Sequence, residues 1–263
     1  MTAFDAAAVA AASNAWIWYP DDATVVDTAD YLLVRYPDHY THRLELQRFC
    51  PAAPAEKALD EVVEKAHSFG LPQLHAWVKL DAPEGFEELL RARGGTLLET
   101  TDVLARPLTD PPDLAVPERV ETRWRTDLPT AVDCNRVFVE AWEEGELKPE
   151  EELRAVAADS AEEYAAGRGG AVVAYVDGRP VGAGGVSLVD GVARFWGSAV
   201  VTEARHRGAY RAMVAARLAY AVEHGASMAL VKGRVSTSAP TLRRAGFEAY
   251  GQERSYLLPL GEG

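Results

Sequence analysis

Two Asp-Gly dipeptides, each beside extended apolar runs, constrain the fold of this chain more than any other feature of its sequence. Asp177-Gly178 follows the run VVAYV, and Asp190-Gly191 precedes the run VARFWGSAVV. Asp-Gly favours the positive φ angles of two-residue hairpin turns, and the flanking runs are rich in residues that prefer strands. The segment therefore predicts a meander of three antiparallel strands between residues 172 and 201.

A change in hydrophobic period marks a helix after this meander. From Arg207 onwards apolar residues recur every three or four positions, with Tyr210 and Arg217 on the same face, and Gly225 follows as a stop signal. We predict a helix over 207–224. The other elements of this half are predicted as a strand at 118–124, helices at 128–142 and 150–164, a strand at 228–235, a short helix at 239–244 and a final extended segment at 248–260. This order indicates the α/β (α+β) class, with a mixed, mostly antiparallel sheet flanked by helices.

Length and proline content predict two domains. A chain of 263 residues is longer than most single domains. The stretch PLTDPPDLAVP, from Pro107 to Pro117, contains four prolines and favours an extended connector. We therefore expect one domain at 1–110 and a second at 117–263.

Charge and cysteine content restrict the partners. Lys and Arg number 27 against 40 Asp and Glu, and this acidic balance disfavours binding to nucleic acid or to anionic membranes. Cys50 and Cys134 are too few for a disulfide framework and lack zinc-site spacing, so we expect reduced, buried thiols and no metal. The N-terminal segment has Asp5 and no basic region, and no apolar run reaches the roughly 18 residues of a membrane span. A cytoplasmic protein is expected.

An internal repeat links the two halves. LRARGGTLLETTDVLARPL at 90–108 aligns without a gap on LRRAGFEAYGQERSYLLPL at 242–260, with five identical positions. Each segment follows a predicted helix that ends in a glycine, Gly70 or Gly225, and then a predicted strand. We interpret the repeat as a duplication, and the alternative is a chance match between two amphipathic helix and strand ends.

A basic turn stands between the third strand of the meander and the helix at 207–224. Its residues are Arg205, His206, Arg207, Gly208, Ala209, Tyr210 and Arg211, and residues 191–260 hold ten basic against four acidic side chains. A helix N-terminus offers amide donors and positive potential, and a glycine lets an anion approach the backbone. We predict a diphosphate site here, and the alternative is a solvated basic helix start.

The second half resembles the GNAT superfamily of acyl-CoA-dependent N-acetyltransferases. Arg205-x-x-Gly208-x-Tyr210 is similar to that family's pyrophosphate loop, although the family has Gly or Ala where this chain has Tyr210. Such a tyrosine fits only if its side chain turns into the core. GFEAYGQERSYLL at 246–258 is similar to the family's C-terminal Gly-Phe and strand signature. The resemblance implies a GNAT fold, acetyl-CoA as cosubstrate and an amine of a small molecule or peptide as acceptor.

Carried over by position, the resemblance implies that the backbone of Val200 and Val201 holds the pantetheine arm and that Arg205–Arg211 holds the diphosphate. Ser238 stands where the family often uses a polar side chain on the CoA arm, and it is equally placed to be the N-cap of the short helix.

Catalytic residues match the family less well. The family often protonates the leaving thiolate with a tyrosine four residues before the Gly-Phe pair, and this chain has Leu242 there. Tyr256 is the candidate acid, with a packing role as the alternative. The third strand of the meander contains no carboxylate or histidine to act as a base, and His206 suits an anion contact or a plain surface position. These gaps leave a non-catalytic acyl-CoA sensor or interaction protein as the second reading.

Seven glutamates precede the meander, in a region that resembles the part of GNAT proteins that shapes the acceptor pocket. They could attract a cationic amine, or they could form an ordinary solvated helix face. The seven are Glu140, Glu143, Glu144, Glu146, Glu150, Glu151 and Glu152.

The first half resembles a degenerate GNAT copy. Its helix that corresponds to 207–224 begins near 50–56 with no glycine turn and no arginine, so the diphosphate seat is lost. We expect this half to close the acceptor cleft, to pack on the catalytic half or to mediate a homodimer.

Overall fold

The computed structural model describes residues 4–109, 114–143 and 145–261. These residues form two compact units, and each unit is assembled from separate stretches of the chain. The C-terminal unit comprises Leu104–Lys232 and Pro240–Glu248. The N-terminal unit comprises Asp5–Val103, Gly233–Ala239 and Ala249–Gly263. This division differs from the contiguous ranges 1–110 and 117–263, because the last part of the chain belongs with the first.

The first half of the chain contains three helices and five strands among its described residues. In order they are α1 Ala6–Asn14, β1 Thr24–Asp27, β2 Tyr31–Arg35, β3 Leu44–Phe49, α2 Ala55–His67, β4 Gln73–Val78, α3 Phe86–Ala92 and β5 Thr96–Pro107.

The second half follows the predicted order of elements. These are β6 Val120–Trp124, α4 Leu128–Trp142, α5 Glu150–Ala165, β7 Gly169–Val176, β8 Arg179–Val189, β9 Val192–Val200, a 3-10 turn Thr202–Ala204, α6 Ala209–Glu223, β10 Met228–Arg234, α7 Ala239–Arg244 and β11 Glu248–Pro259.

The sheet of the C-terminal unit is built on the predicted meander. Its strand order is β10-β9-β8-β7-β6, with the last four antiparallel and β10 parallel to β9. Both residues of each Asp-Gly turn have positive φ, with Asp177 at 53° and Asp190 at 51°, which is the geometry of the predicted tight hairpins. Helices α4 and α6 pack on this sheet around Val172, Val173 and Met213, which are fully buried.

The N-terminal unit contains the final strand of the chain. Its strand order is β1-β2-β3-β4-β11-β5, and β11 pairs antiparallel with β4 over six residue pairs from Arg254↔Val78 to Pro259↔Gln73. Tyr256, Leu258 and Leu260 therefore lie in the core of this unit. The strand at 248–260 follows the GNAT-like elements in the chain, and the sequence alone does not show which sheet it joins.

The repeat seen in the sequence is also a structural repeat. The short helices α3 and α7 are each followed by a glycine with φ of 82°, Gly94 and Gly246. Each glycine leads into a strand of 12 residues, β5 or β11. The distance along the chain from β5 to β11 is the same as the distance between the two aligned sequences, at the start and at the end of the strands. This agreement supports a duplication over a chance match.

The two cysteines differ in environment. Both thiols are free, and Cys134 is buried, where desolvation raises its pKa to about 11. Cys50 is only partly buried, so the expectation of burial is wrong for this residue. It lies in the loop before α2, with its Sγ 3.6 Å from Asp81 Oδ2.

A capping box fixes the start of α4. Asp127 Oδ1 accepts a hydrogen bond of 2.8 Å from the Thr130 backbone N–H, and the Thr130 side chain faces back to the Asp127 backbone. These hydrogen bonds from Thr130 lower the pKa of Asp127. A lowered folded-state pKa stabilises the fold above the unfolded-state pKa, and the stabilisation is lost as the pH falls through the folded-state value.

We predict that Asp127→Ala lowers the free energy of unfolding by about 1 kcal/mol at pH 7, because the first turn of α4 loses its acceptor. Asp127→Asn is the control and retains most of the stability, since asparagine also caps helices. Urea denaturation at pH 7 and near pH 3 measures both variants. The difference in the free energy of unfolding between the parent and Asp127→Ala is smaller at low pH. An equal difference in the free energy of unfolding at both pH values would contradict the role of Asp127 as the N-cap of α4.

Candidate functional site

The parallel ladder between β9 and β10 ends halfway along β9. Val192–Phe195 pair with Met228–Val231, and the ladder extends no further among the described residues, although β9 continues to Val200. The backbone of the second half of β9 is therefore left unpaired by β10 within the described residues. An open strand edge of this kind presents polar backbone groups to a ligand.

A β-bulge lies where this ladder ends. Ala199 pairs with Ala183 and Trp196 pairs with Gly185, so Gly184 alone faces both Gly197 and Ser198. Gly197 has φ of 62°, a left-handed conformation that suits glycine. Bulges bend a strand and are frequent beside functional sites, and this bulge bends β9 where its partner is lost.

The loop after β9 is held by hydrogen bonds to β8 and within the loop itself. The Val201 N–H donates to Val181 O at 2.9 Å, and the Val201 carbonyl accepts from the Ala204 N–H at 3.0 Å. Arg205 Nε approaches Val200 O at 3.4 Å. The predicted contact of Val200 and Val201 with a pantetheine arm stays a prediction, and the N–H of Val201 is already used within the unit.

Helix α6 begins at a glycine that no other residue can replace without strain. Gly208 has φ of 97°, and a Cβ at this position would lie 2.7 Å from Pro117 Cγ. The N-cap provides no side-chain acceptor, and the first turn of α6 contains no acidic residue. The amide groups and the positive end of the helix dipole are thus not neutralised by a cap, which is favourable for an anionic ligand.

Basic side chains surround this helix start. Arg205, His206 and Arg211 are exposed, and Arg207 is partly exposed with its Nη2 2.9 Å from Asp177 Oδ2. Ala209 is buried below them. Tyr210 packs against the core of the C-terminal unit, so its ring leaves the turn accessible, as the sequence requires.

The structure gives the positions of Ser238 and of the glutamates that precede the meander. Ser238 is partly buried in the turn before α7, where both of its predicted roles stay open. Among the glutamates, Glu150 pairs with Arg154 and Glu152 pairs with Lys148 on the exposed face of α5. These pairs fit the alternative of a solvated face for the α5 glutamates. Glu144 lies outside the described residues.

Tyr256 is embedded in the N-terminal unit. Its ring is fully buried in that unit's core, and its hydroxyl donates a hydrogen bond of 2.6 Å to Glu87 Oε1. Burial, followed by the Glu87 carboxylate, raises the pKa of Tyr256. These contacts favour the packing alternative, and the role of Tyr256 as a catalytic acid stays a prediction without support from them.

We predict that Tyr256→Phe changes a transfer rate by no more than about twofold and lowers the free energy of unfolding by about 1–3 kcal/mol, because the partly buried hydrogen bond to Glu87 is lost. Urea denaturation and steady-state rates measure the two effects. A rate reduced about 10²-fold or more at unchanged acetyl-CoA affinity would instead establish Tyr256 as the acid.

Sequence reasoning missed two features of the C-terminal unit. Arg217, predicted on the apolar face of its helix, is fully buried beneath the bulge, and a charged residue at an apolar position is the signal for it. Phe138 lies beside the bulge, since a Cβ on Gly197 would be 3.8 Å from Phe138 Cζ. Trp142 stacks on Phe138 at a centroid distance of 4.5 Å and is 51% exposed.

The C-terminal unit thus combines a parallel pair that ends early, a bulged strand and a helix that starts at a glycine after that strand. Residues 132–247 match the sequence model of the Acetyltransferase (GNAT) family. This part of the chain is therefore a GNAT domain, and the predicted family and fold are confirmed. No curated protein matches the chain.

Solved structures of GNAT proteins resemble the chain over most of its length. A GCN5-related N-acetyltransferase from Kribbella flavida has a TM-score of 0.67 at 19% identity, covering 97% of this chain and 95% of its own. A tandem GNAT protein from the clavulanic acid biosynthesis pathway has a TM-score of 0.63 at 18% identity, covering 97% and 88%. A GCN5-related N-acetyltransferase from Sphaerobacter thermophilus has a TM-score of 0.62 at 18% identity, covering 90% and 83%. Identities this low establish the fold and leave the substrate open.

The described ranges 4–109, 114–143 and 145–261 contain no group of three or more His, Cys, Asp or Glu residues arranged to hold a metal ion. None of their helices combines the length and apolar character of a membrane span.

Proposed function

We propose that the C-terminal unit transfers an acetyl group from acetyl-CoA directly to an amine of a small molecule or peptide, in the cytoplasm. The observation that carries this proposal is the combination of the open, bulged edge of β9 with the uncapped basic start of α6. Membership of residues 132–247 in an acetyltransferase family supports acyl transfer from an acyl-CoA as the reaction class.

The start of α6 fits the diphosphate of CoA. Gly208 supplies the positive φ that starts α6 where Pro117 fills the space of a Cβ, and Arg205, His206 and Arg211 add positive charge on the exposed side. Arg207 is held by Asp177 and contributes less free charge. The N-terminal copy lacks this arrangement, because α2 begins after Pro54 with no glycine and no basic residue ahead of it.

Acetyl-CoA would supply an acyl group activated as a thioester. In the proposed reaction the amine nitrogen bonds to the acyl carbon, the carbon–sulfur bond breaks, and the proton lost by the amine balances the thiolate. The open edge of β9 beyond Phe195 supplies backbone groups that orient the acyl arm. Neither β9 nor Leu242 offers a side-chain acid or base, so we assign proton transfer to water and the main contribution to positioning.

The acceptor side is proposed at the end of α4. Phe138 lies next to the bulge with Trp142 stacked on it, and the exposed Glu143 and Glu146 give this end a negative charge, whereas Glu140 is paired with Arg179 at 3.3 Å. An apolar ring and a carboxylate surface together favour an amine that carries a positive charge on an apolar body.

We predict that Arg211→Glu weakens CoA binding at least tenfold, because a carboxylate in the first turn of α6 repels the diphosphate. Lys57→Glu is the matched control, since Lys57 is exposed and is the third residue of α2 as Arg211 is of α6. We expect the affinity of Lys57→Glu for CoA to stay within about twofold of the parent protein's. Calorimetry with CoA measures both. Equal losses in the two variants would move the CoA site away from α6.

The competing function is a non-catalytic acyl-CoA sensor or interaction protein, which Leu242 at the position of the acid and the lack of a carboxylate or histidine in β9 favour. Both functions bind CoA, so only turnover separates them. We predict that acetyl-CoA with a panel of amines releases free thiol, fastest with cationic amines on an apolar body, and that mass spectrometry finds the acetylated amine. Tight acetyl-CoA binding without thiol release across aromatic, aliphatic and peptide amines would favour the sensor.

The N-terminal unit is proposed to be a degenerate GNAT copy without a CoA site. Like the C-terminal unit it has a three-stranded antiparallel meander, β1 to β3, a helix and then a strand parallel to the third, β4. Closing the acceptor cleft and forming a homodimer are the two roles proposed for it.

A further inference from the structure

Arg217 is a buried cation beneath the bulge of β9. Its side chain is fully buried on α6, and its Nη1 donates to Ser198 Oγ at 2.9 Å and to Gly185 O at 3.2 Å. Nε donates to Met213 O within the same helix at 3.0 Å. The guanidinium thus connects the strands on the two sides of the bulge, where the ladder between β8 and β9 is interrupted.

The charge of Arg217 has no described counter-ion. Its guanidinium lies over the Phe195 ring, 4.5 Å from the centroid, and its Nη2 has no hydrogen-bond partner in the described structure. Burial lowers the pKa of Arg217 to about 10, which still leaves it protonated at neutral pH. A buried unpaired cation is unfavourable for folding, and a neutral donor would join the same oxygens with a smaller penalty. The position therefore favours a use for the positive charge itself.

We propose that Arg217 is a positioning residue of the acyl-transfer site. Its guanidinium fixes the bulge through Ser198, and its positive charge stabilises the negative charge that develops on the acyl group held against β9. This inference rests on the proposed function. Fixed charges in a dry environment act strongly and need no rearrangement during the reaction, so a buried cation can compensate for a missing acid at Leu242.

The test compares variants that separate charge from packing. Arg217→Met removes the charge at similar length, and Arg217→Lys retains a basic group, which is charged in assays run below the lowered pKa of a buried lysine. Arg194→Met is the matched control, because Arg194 is also a buried arginine of the same region with an unpartnered Nε, but lies in β9 before the bulge, where β9 still pairs with β10. Thermal unfolding shows which variants fold, and calorimetry with CoA shows whether the diphosphate site is intact.

Two readouts follow. The first is kcat, expected to fall tenfold or more in Arg217→Met, to recover largely in Arg217→Lys and to change little in Arg194→Met, with CoA affinity unchanged in all three. The second is the infrared carbonyl band of bound acetyl-CoA labelled with ¹³C at the thioester. We expect it below its frequency in solution in the parent and in Arg217→Lys, and shifted back towards solution in Arg217→Met.

Each outcome decides the inference. Equal rates and equal carbonyl bands in Arg217→Met and Arg194→Met would overturn it, even if the parent transfers acetyl groups normally. A parent that binds acetyl-CoA and releases no thiol overturns the proposed transfer, and the carbonyl band still tests the effect of Arg217 on the acyl group. A parent without acetyl-CoA binding overturns both. If Arg217→Met does not fold, Ser198→Ala replaces it, and a kcat unchanged within about twofold then counts against the inference.

Discussion

The early end of the parallel ladder between β9 and β10 is the constraint on which the candidate site depends. Two paired strands satisfy each other's backbone groups, and a ligand cannot reach them. Here the pairing stops at Phe195 and Val231, and the bulge at Gly197 bends β9 at that point. The same strand then leads through a short turn into α6, so the open edge and the helix N-terminus are consecutive features of one stretch of chain.

Local signals in the sequence predicted much of this fold. The Asp-Gly turns, the helix period of α6 and the bounds Leu128–Trp142 of α4 all depend on interactions between residues near each other in the chain. The partner of β11 depends on a ladder to β4, which is about 180 residues away, and no local pattern specifies it. Helix α1 and strand β1 also escaped prediction, because one is uniformly alanine-rich and the other has only four residues.

The sequence predicts those parts of the candidate site that depend on neighbouring residues, and not those that depend on residues far away in the chain. The basic turn is contiguous, so its residues can be named from the sequence, and Gly208 has the conformation that the motif requires. The bulge at Gly197 is invisible without the opposite strand. Tyr256 is a candidate by its position along a strand, but its environment is set by Glu87 and the core of the N-terminal unit, which only the tertiary structure shows.

The place of β11 between β4 and β5 has a consequence for the order in which the protein is made. A ribosome synthesises β1 to β5 first, and all of β6 to α7 must follow before the strand that fills the sheet exists. During that interval β4 and β5 each lack a neighbour, and such unpaired edges are prone to association with other chains. The first unit begun is therefore the last one completed, and its unfinished sheet is exposed throughout synthesis of the GNAT domain.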